Sequence, residues 1–247
     1  ALVMELARVM SQYTFKRTIV FMATQGEEQG LFGAYALAEY ANQHNLTIRA
    51  NQNNDIVGGI ICGETASPPG CPGQGAIDST SVRLYSSGDV AQRNRSYARF
   101  TEKLKPYAKL PMQINIMNRA DRGGRGGDQL ALNANDYTAI RFTSTHEHGD
   151  GSGGPGYSDR QHTVNDVLGV DTDGDEVRDS FFVDFNYLKR NTVINGAAAA
   201  EAANGPAIPE FTVDNDAAEG PTVRIKGNQA AEYRLAVRTP LTSDTLS

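Results

Sequence analysis

Hydrophobic positions along the chain follow two different periods in turn. Period-two alternation or a short apolar run predicts a strand, as in residues 18–23 and 112–117, whereas wider spacing predicts a helix, as in residues 1–10. The predicted helices are residues 1–10, 31–42, 93–104 and 183–203, and the predicted strands are residues 18–23, 47–61, 81–85, 112–117 and 137–143. Helices and strands in alternation predict the α/β class, a three-layer αβα sandwich around a mostly parallel mixed sheet.

The pattern changes after Pro206. Three short strand-like runs, residues 210–213, 222–225 and 233–238, are separated by Asn, Asp and Gly. This spacing is typical of a β-sandwich module, although three strands bury too little apolar surface to be stable alone. We therefore predict an α/β domain over residues 1–205 and an incomplete β-sandwich-like segment over residues 206–247.

Composition and charge exclude several classes of protein. The hydrophobic fraction of 39% is sufficient for a packed core in a chain of 247 residues. The formal net charge of -6 provides no basic surface for a nucleic-acid backbone. No apolar run approaches the roughly 20 residues that span a bilayer. Neither nucleic acid nor a membrane is therefore a predicted partner.

Two cysteines, Cys62 and Cys71, bracket the Gly- and Pro-rich residues 63–70. Cysteines that close a short loop in this way favour a disulfide, which predicts a secreted or periplasmic protein. The alternative is a pair of unrelated buried thiols. Two cysteines alone are too few for a closed zinc site of four ligands.

Two adjacent glutamates, Glu27 and Glu28, follow the apolar run of residues 18–23 and precede the predicted helix of residues 31–42. They are therefore expected at the carboxyl end of a strand, where open α/β sheets bind ligands. Neighbouring carboxylates repel each other unless a cation or a shared proton is present. The pair favours a binding or catalytic role, and the alternative is a solvated helix start, where the helix dipole favours acidic residues.

A metal-dependent hydrolase would need further ligands near this pair. Zinc takes oxygen and nitrogen ligands, and a nearby carboxylate accepts a proton from the activated water. Asp55 follows the next predicted strand and supplies a carboxylate, and His162 supplies an imidazole in the long polar loop of residues 144–166. Taken singly, each of the two also fits an ordinary position in a turn or an exposed loop.

In combination and in order, these residues resemble peptidase family M28, the di-zinc aminopeptidases. The motifs are Gly-Glu-Glu-Gln-Gly-Leu at residues 26–31, Asn-Asp at residues 54–55, Gly-Arg-Gly-Gly-Asp at residues 124–128 and Gln-His-Thr at residues 161–163. The resemblance extends over residues 1–203, and residues 206–247 are similar to the fibronectin-like tail of some members. It implies a zinc exopeptidase fold and a secreted enzyme that acts on peptide substrates.

The resemblance also implies a role for each candidate residue. Glu27 would be the general base, which takes a proton from the attacking water and passes it to the leaving amine. Glu28 and His162 would bind one zinc ion, and Asp55 would bind the other. The implied reaction is hydrolysis of the N-terminal peptide bond, with two zinc ions in the complete site.

The chain departs from the family pattern at several positions. The family has a His-x-Asp histidine and a metal-bridging aspartate before the glutamate pair, but here no acidic residue precedes Glu5. Gln129 stands where many relatives have histidine, and Gln161 replaces a tyrosine that steadies the oxyanion. Tyr157 is a candidate for that oxyanion or substrate role. We therefore expect this chain alone to be inactive, or to require a separate N-terminal segment.

An acidic stretch is a candidate second metal site. Asp171, Asp173, Asp175 and Asp179 place oxygen atoms around a glycine in a pattern that resembles part of a calcium loop. The alternative is an exposed acidic insertion without a metal. Calcium is therefore a candidate cofactor in addition to zinc.

Two other functions are compatible with the sequence. A protein that kept the fold and lost its metals would be a non-catalytic scaffold or binding module. Glutaminyl cyclases share the fold, but they use a tryptophan-containing pocket, and this chain has no tryptophan. The aminopeptidase is the function that the sequence favours.

Overall fold

The α/β architecture is present in a computed structural model, which describes residues 1–62, 72–73, 75–121, 126–146, 163–164, 166–205, 210–216 and 220–226. The helices are α1 (Leu2–Met10), α2 (Phe32–Gln43), α3 (Ala91–Lys103), α4 (Lys105–Ala108), α5 (Gln129–Ala134) and α6 (Phe185–Asn204). The strands are β1 (Asn51–Asn54), β2 (Ser81–Tyr85), β3 (Gln113–Met117), β4 (Ala139–Ser144), β5 (Gly169–Val170), β6 (Ser180–Phe181), β7 (Glu210–Asp216) and β8 (Gly220–Lys226). Among the helices described, none has the length and hydrophobicity that a bilayer span requires.

The central sheet has the strand order β1, β4, β2, β3. The pairs β1–β4 and β2–β3 are parallel, and β4 and β2 pair antiparallel between them. Every residue of β2 and β4 is buried, as expected for central strands that are covered on both faces. The prediction of a mostly parallel mixed sheet is confirmed.

One face of the central strands belongs to an apolar core. Val82 and Leu84 of β2 and Ile140 and Phe142 of β4 occupy alternate positions, and all four are fully buried. Residues of α3 and α6 join them in the same cluster, which includes Ala98, Tyr187, Ile194 and Ala198. Burial of this apolar surface is the main stabilising term for this layer of the fold.

Helix α6 is fixed at its first turn and serves as a support for α1. The carboxylate of Asp184 accepts a hydrogen bond from the backbone N–H of Tyr187 at 2.7 Å, which caps the helix. Leu2, Leu6 and Met10 recur every four residues on one face of α1 and are buried together with apolar residues of α6. Helix α1 therefore forms an outer layer against α6.

The opposite face of the central strands is also buried, but it is polar and aromatic. Arg83, Tyr85, Arg141 and Thr143 occupy the positions that alternate with the apolar core residues. Helices α2 and α5 pack on this side, where they share a small cluster with Ala139 of β4. Helices thus lie on both faces of the sheet, and only one face is apolar.

Two strand predictions differ from the structure. Residues 18–23 belong to no strand, because none of the described strands pairs with them, and a ladder needs a neighbour to supply its hydrogen bonds. The side chains of Ile19 and Phe21 pack against α1, while Val20 is 73% exposed. The strand predicted over residues 47–61 is limited to β1. The helix α4 and the hairpin of β5 and β6 were not predicted.

The segment after α6 contains two of the three predicted strands. β7 and β8 are antiparallel, with Glu210 opposite Lys226 and Asp216 opposite Gly220. The third predicted run, residues 233–238, lies outside the described residues. The division into domains at residues 205 and 206 stays a prediction.

Candidate metal centre

The glutamate pair lies in a tight loop directly before α2. The carbonyl oxygen of Glu27 accepts hydrogen bonds from the backbone N–H groups of Gly30 and Leu31, at 3.0 and 2.9 Å. Gly26 has a φ of 68°, a left-handed conformation that glycine adopts without strain. These backbone contacts fix Glu27 and Glu28 at the entry to the helix, as predicted, but residues 18–23 before them form no strand, so the predicted position at a strand end is wrong.

Asp55 lies directly after β1. Its backbone N–H donates to the carbonyl oxygen of Phe142 in β4 at 3.3 Å, which continues the contact between the two strands. Its carboxylate Oδ2 lies 2.9 Å from Nη2 of Arg141. The Asp55 side chain is 36% exposed, whereas the Arg141 side chain is completely buried. The carboxylate therefore lies at the border of solvent and is held from the inner side by a fixed cation.

Several carboxylates act on Glu27 at this edge of the sheet. Burial raises the pKa of Glu27 above its usual value, and the negative charges of Asp55, Glu28 and Asp128 raise it further. The positive charge of Arg141 acts in the opposite direction. Because such effects require proximity, the fold brings the candidate base and two candidate ligands together from separate parts of the chain.

Asp128 is a member of this cluster to which the sequence analysis assigned no role. It precedes α5, and the hydroxyl of Thr24 donates a hydrogen bond to its Oδ2. Its Oδ1 is buried and has no hydrogen-bond partner among the described residues. The signal in the sequence was the aspartate at the end of the glycine-dense residues 122–127. A buried oxygen of this kind fits a hydrogen-bond donor or a cation at the same edge.

Arg141 is a second residue that the sequence analysis missed. Its Nη1 lies 2.8 Å from Oδ2 of Asp121, so that the guanidinium joins Asp121 and Asp55. The side chain of Asp121 is also almost completely buried. The available signal was an arginine inside the otherwise apolar and β-branched strand predicted over residues 137–143, where a charge requires compensation.

The chemistry of these groups fits a divalent cation. The carboxylates around Glu27 provide more negative charge than Arg141 neutralises, and carboxylate oxygens are accepted zinc ligands. Glu28 and Asp55 are the two predicted zinc ligands within the described residues. The third, His162, and the candidate oxyanion residue Tyr157 lie outside them. Within the described part of the chain, no three ligand atoms at this edge lie within 4.8 Å of one another.

The acidic loop between β5 and β6 does bring three ligand atoms together. Carboxylate oxygens of Asp171, Asp173 and Asp179 lie within 4.8 Å of one another, and Asp175 is not part of this group. Asp171 accepts three backbone N–H groups of its own loop, and these bonds, with that of Gly174 first, lower its pKa. The loop is exposed and organised by its own backbone, and calcium binding stays a prediction.

The cysteine loop is described only at its ends. Cys62 is buried, and its backbone N–H donates to the carbonyl oxygen of Ala76 at 2.7 Å. Its predicted partner, Cys71, lies outside the described residues. The disulfide therefore also stays a prediction.

Known proteins provide an independent comparison. The model of peptidase family M28 matches residues 1–64, which include Glu27, Glu28 and Asp55. A probable zinc metalloprotease of Pyricularia oryzae is 32% identical over 226 residues, which is 87% of this chain and 43% of that relative. Another, from Pyrenophora tritici-repentis, is 31% identical, and the match covers 85% of this chain and 47% of the relative. The chain spans less than half the length of these two relatives.

A solved structure shares the fold. The LapA aminopeptidase of Legionella pneumophila matches with a TM-score of 0.55 at 19% sequence identity. The match covers 82% of this chain and 45% of that chain. At this level of identity the likeness concerns the arrangement of helices and strands, and it agrees with the predicted α/β class.

Proposed function

Because this chain belongs to peptidase family M28, we propose that the protein is a zinc-dependent metallo-exopeptidase, an aminopeptidase that hydrolyses the N-terminal peptide bond of peptides. The observation that carries the proposal is the placement of Glu27 and Glu28 before α2, of Asp55 after β1 and of Asp128 before α5, where Arg141 pairs with Asp55 and Thr24 donates to Asp128. Burial raises the pKa of Glu27, and these neighbouring carboxylates raise it further. A surface helix start would not collect acidic groups from three separate segments, because their repulsion costs free energy.

The residues of the cluster divide the work of the reaction. Glu28 and His162 would hold one zinc ion, and Asp55 would hold the other. Bound zinc supplies Lewis acidity toward the substrate carbonyl and an acidified water. Glu27 accepts the proton of the attacking water and delivers it to the leaving amine. Tyr157 is the proposed donor to the oxyanion.

The environment of Glu27 suits a general base. Its side chain is half-buried, and burial together with neighbouring carboxylates raises its pKa above the usual value of a glutamate. A base works best when its pKa lies near the operating pH. Arg141, which opposes this rise, has its guanidinium directed to Asp55 and Asp121. The charge arrangement therefore leaves Glu27 more basic than an ordinary glutamate.

The test measures zinc content and hydrolysis of leucine and alanine anilides by the full-length protein. We expect Glu27→Gln to keep zinc and to reduce kcat by about 10²- to 10⁴-fold, the usual contribution of a general base. Glu28→Ala should lose zinc as well as activity. Glu39→Gln is the matched control, since Glu39 is an exposed glutamate of α2 whose carboxylate accepts a hydrogen bond from the side chain of Gln43. A wild-type protein without zinc, or a fully active Glu27→Gln variant, would contradict the proposal and favour a non-catalytic scaffold.

A secreted or periplasmic location is the finer part of the proposal and depends on the cysteines. Cys62 is buried at the base of the loop, which a covalent link to Cys71 would close in an oxidising compartment. Peptide mapping without reduction should recover both cysteines in one linked pair. Recovery of two alkylated thiols from freshly isolated protein would contradict this part and leave the peptidase proposal untouched.

A further inference from the structure

The geometry points to Arg141 as a positioning residue that fixes the carboxylate of Asp55 for metal binding, an inference that rests on the zinc site proposed above. Arg141 would not touch substrate or metal. It would act through Asp55, by holding Oδ2 on the inner side so that Oδ1 faces the metal position.

The guanidinium reaches three separate segments at once. In the parallel pair of β1 and β4, Arg141 stands opposite Asn53, two residues before Asp55. Nη2 lies 2.9 Å from Oδ2 of Asp55 in an ion pair that lacks hydrogen-bond geometry, whereas Nη1 donates a hydrogen bond to Oδ2 of Asp121 at 2.8 Å. Nη1 also donates to the carbonyl oxygen of Gly126. The planar guanidinium of arginine carries several N–H groups and can contact partners in different directions at once, whereas lysine has a single ammonium group.

A second layer of hydrogen bonds holds the fork in place. Gln129 donates from Nε2 to Oδ2 of Asp121 at 2.7 Å and to the carbonyl oxygen of Ala120 at 3.2 Å. Its Oε1 accepts from Nδ2 of Asn53 at 2.9 Å, which closes the network back onto β1. Gln129 thus uses both ends of its amide, and the network connects the strand that precedes Asp55 to the start of α5.

The chain passes close to the network at Gly127. A Cβ at Gly127 would lie 2.7 Å from Oε1 of Gln129, 2.9 Å from Nη1 of Arg141 and 3.0 Å from Nδ2 of Asn53. At the first two distances a carbon atom would force the Gln129 and Arg141 side chains to shift, so glycine at this position lets the chain pass close to the guanidinium. Both Arg141 and Gln129 are fully buried. The position of the guanidinium is therefore set by the interior and is independent of solvent.

The charges around Arg141 are consistent with a role for Asp55 as a metal ligand. Arg141 meets two carboxylates, and the buried one, Asp121, is its permanent counter-charge. Asp55 is one-third exposed, and its carboxylate forms an ion pair with Arg141. The ion pair with Arg141 engages Oδ2, so that Oδ1 is the oxygen assigned to the cation. Groups that orient a metal ligand in this way typically contribute about 10- to 100-fold to metal affinity.

The experiment compares Arg141→Lys with Arg83→Lys in the full-length protein. Arg83 is equally buried on the same face of the neighbouring strand, and its Nε donates to the carbonyl oxygen of Ser144 at 2.9 Å. Both substitutions disturb a buried arginine, but the ion pair with Asp55 belongs to Arg141. The readouts are zinc affinity by chelator competition, the absorption spectrum of the cobalt-substituted protein, and kcat and KM measured separately.

We expect Arg141→Lys to reduce the affinity for one zinc ion by about 10- to 100-fold and to change the spectrum of the cobalt-substituted protein. The fold-change in kcat should be larger than the fold-change in KM. Arg83→Lys should lower the unfolding midpoint while both zinc affinities and the spectrum stay at wild-type values. Arg141→Met serves as the second variant, and its loss of zinc should exceed that of the lysine variant.

Two results would overturn the inference. One is wild-type zinc affinity and spectrum in a folded Arg141→Lys variant. The other is an equal loss of zinc in Arg141→Lys and Arg83→Lys, which would reduce the effect to general destabilisation. Both leave the wild-type protein with zinc and activity. If the proposed function is wrong, the wild-type protein itself should contain no zinc and show no activity. The two failures are therefore distinguishable.

Discussion

The two faces of β4 are equally buried and chemically opposite. Ile140 and Phe142 face α6 in an apolar core, whereas Arg141, between them in the chain, faces Asp55 and Asp121. The apolar face gains free energy simply by leaving water. The polar face loses hydration and must recover that cost through ion pairs and hydrogen bonds with good geometry. Burial alone therefore does not separate the structural core from the candidate site, whereas the compensation of buried charge does.

The first test of this comparison acts on the apolar face. Phe142→Ala should lower the free energy of unfolding by about 3–5 kcal/mol, because the loss of a fully buried ring leaves a cavity among close-packed side chains. Chemical denaturation measures this directly. Tyr107→Ala is the control, since Tyr107 is 86% exposed and should change stability very little. A loss below about 1 kcal/mol for Phe142→Ala would mean that this face can collapse around the cavity.

The second test acts on the polar face. Asp121→Asn should destabilise the protein by about 3 kcal/mol, because it removes the buried counter-charge of Arg141. Denaturant melts of the variant and the wild type at neutral pH provide the measurement.

The matched control is Asp136→Asn on the surface. Asp136 forms an ion pair with Arg93, and its side chain is 84% exposed. Exposed pairs are worth about 0–1 kcal/mol, so this variant should remain close to wild type. Equal losses of stability at the two sites would contradict the comparison. They would show that burial does not increase the contribution of the Arg141–Asp121 ion pair to the free energy of unfolding.

The smallest effect is expected at a carboxylate that is neither a core group nor a site group. Burial raises the pKa of Asp78, but hydrogen bonds from Ser81 and Thr80 and the nearby charge of His146 outweigh it and lower that pKa below its usual value. A lowered pKa stabilises the fold above the ordinary range of aspartate, about pH 4, and the contribution is lost as the pH falls. Asp78→Asn should therefore differ from wild type at pH 7, and the difference should shrink as the pH falls below about 4 in thermal melts. A difference that grows on acidification would contradict this assignment.

Most of the elements could be predicted because their signals are local. The spacing of Leu2, Leu6 and Met10 predicts α1, and alternation in residues 112–117 predicts β3 within one residue. Residues 18–23 show the limit of this reasoning. They have a strong strand composition, but a strand depends on a paired neighbour, which the composition of the segment does not provide.

The candidate site divides in the same way. Glu27, Glu28 and Asp55 could be proposed from their residue types and order in the chain, and the structure describes them near one another. Arg141 and Asp128 could not be assigned a role, because the first occupies an ordinary strand position and the second follows a run of glycines. Their partners are distant along the chain, and no local pattern indicates such contacts.

The sequence by itself determined the types of element, the acidic chemistry available and the family resemblance, since these depend on residue identity and on spacing within short windows. Only the tertiary structure decided which carboxylates share one edge of the sheet and which cation compensates them. The physical reason is that strand order and register set the distances between remote residues. The placement of β4 beside β1 brings Arg141 within 2.9 Å of Asp55.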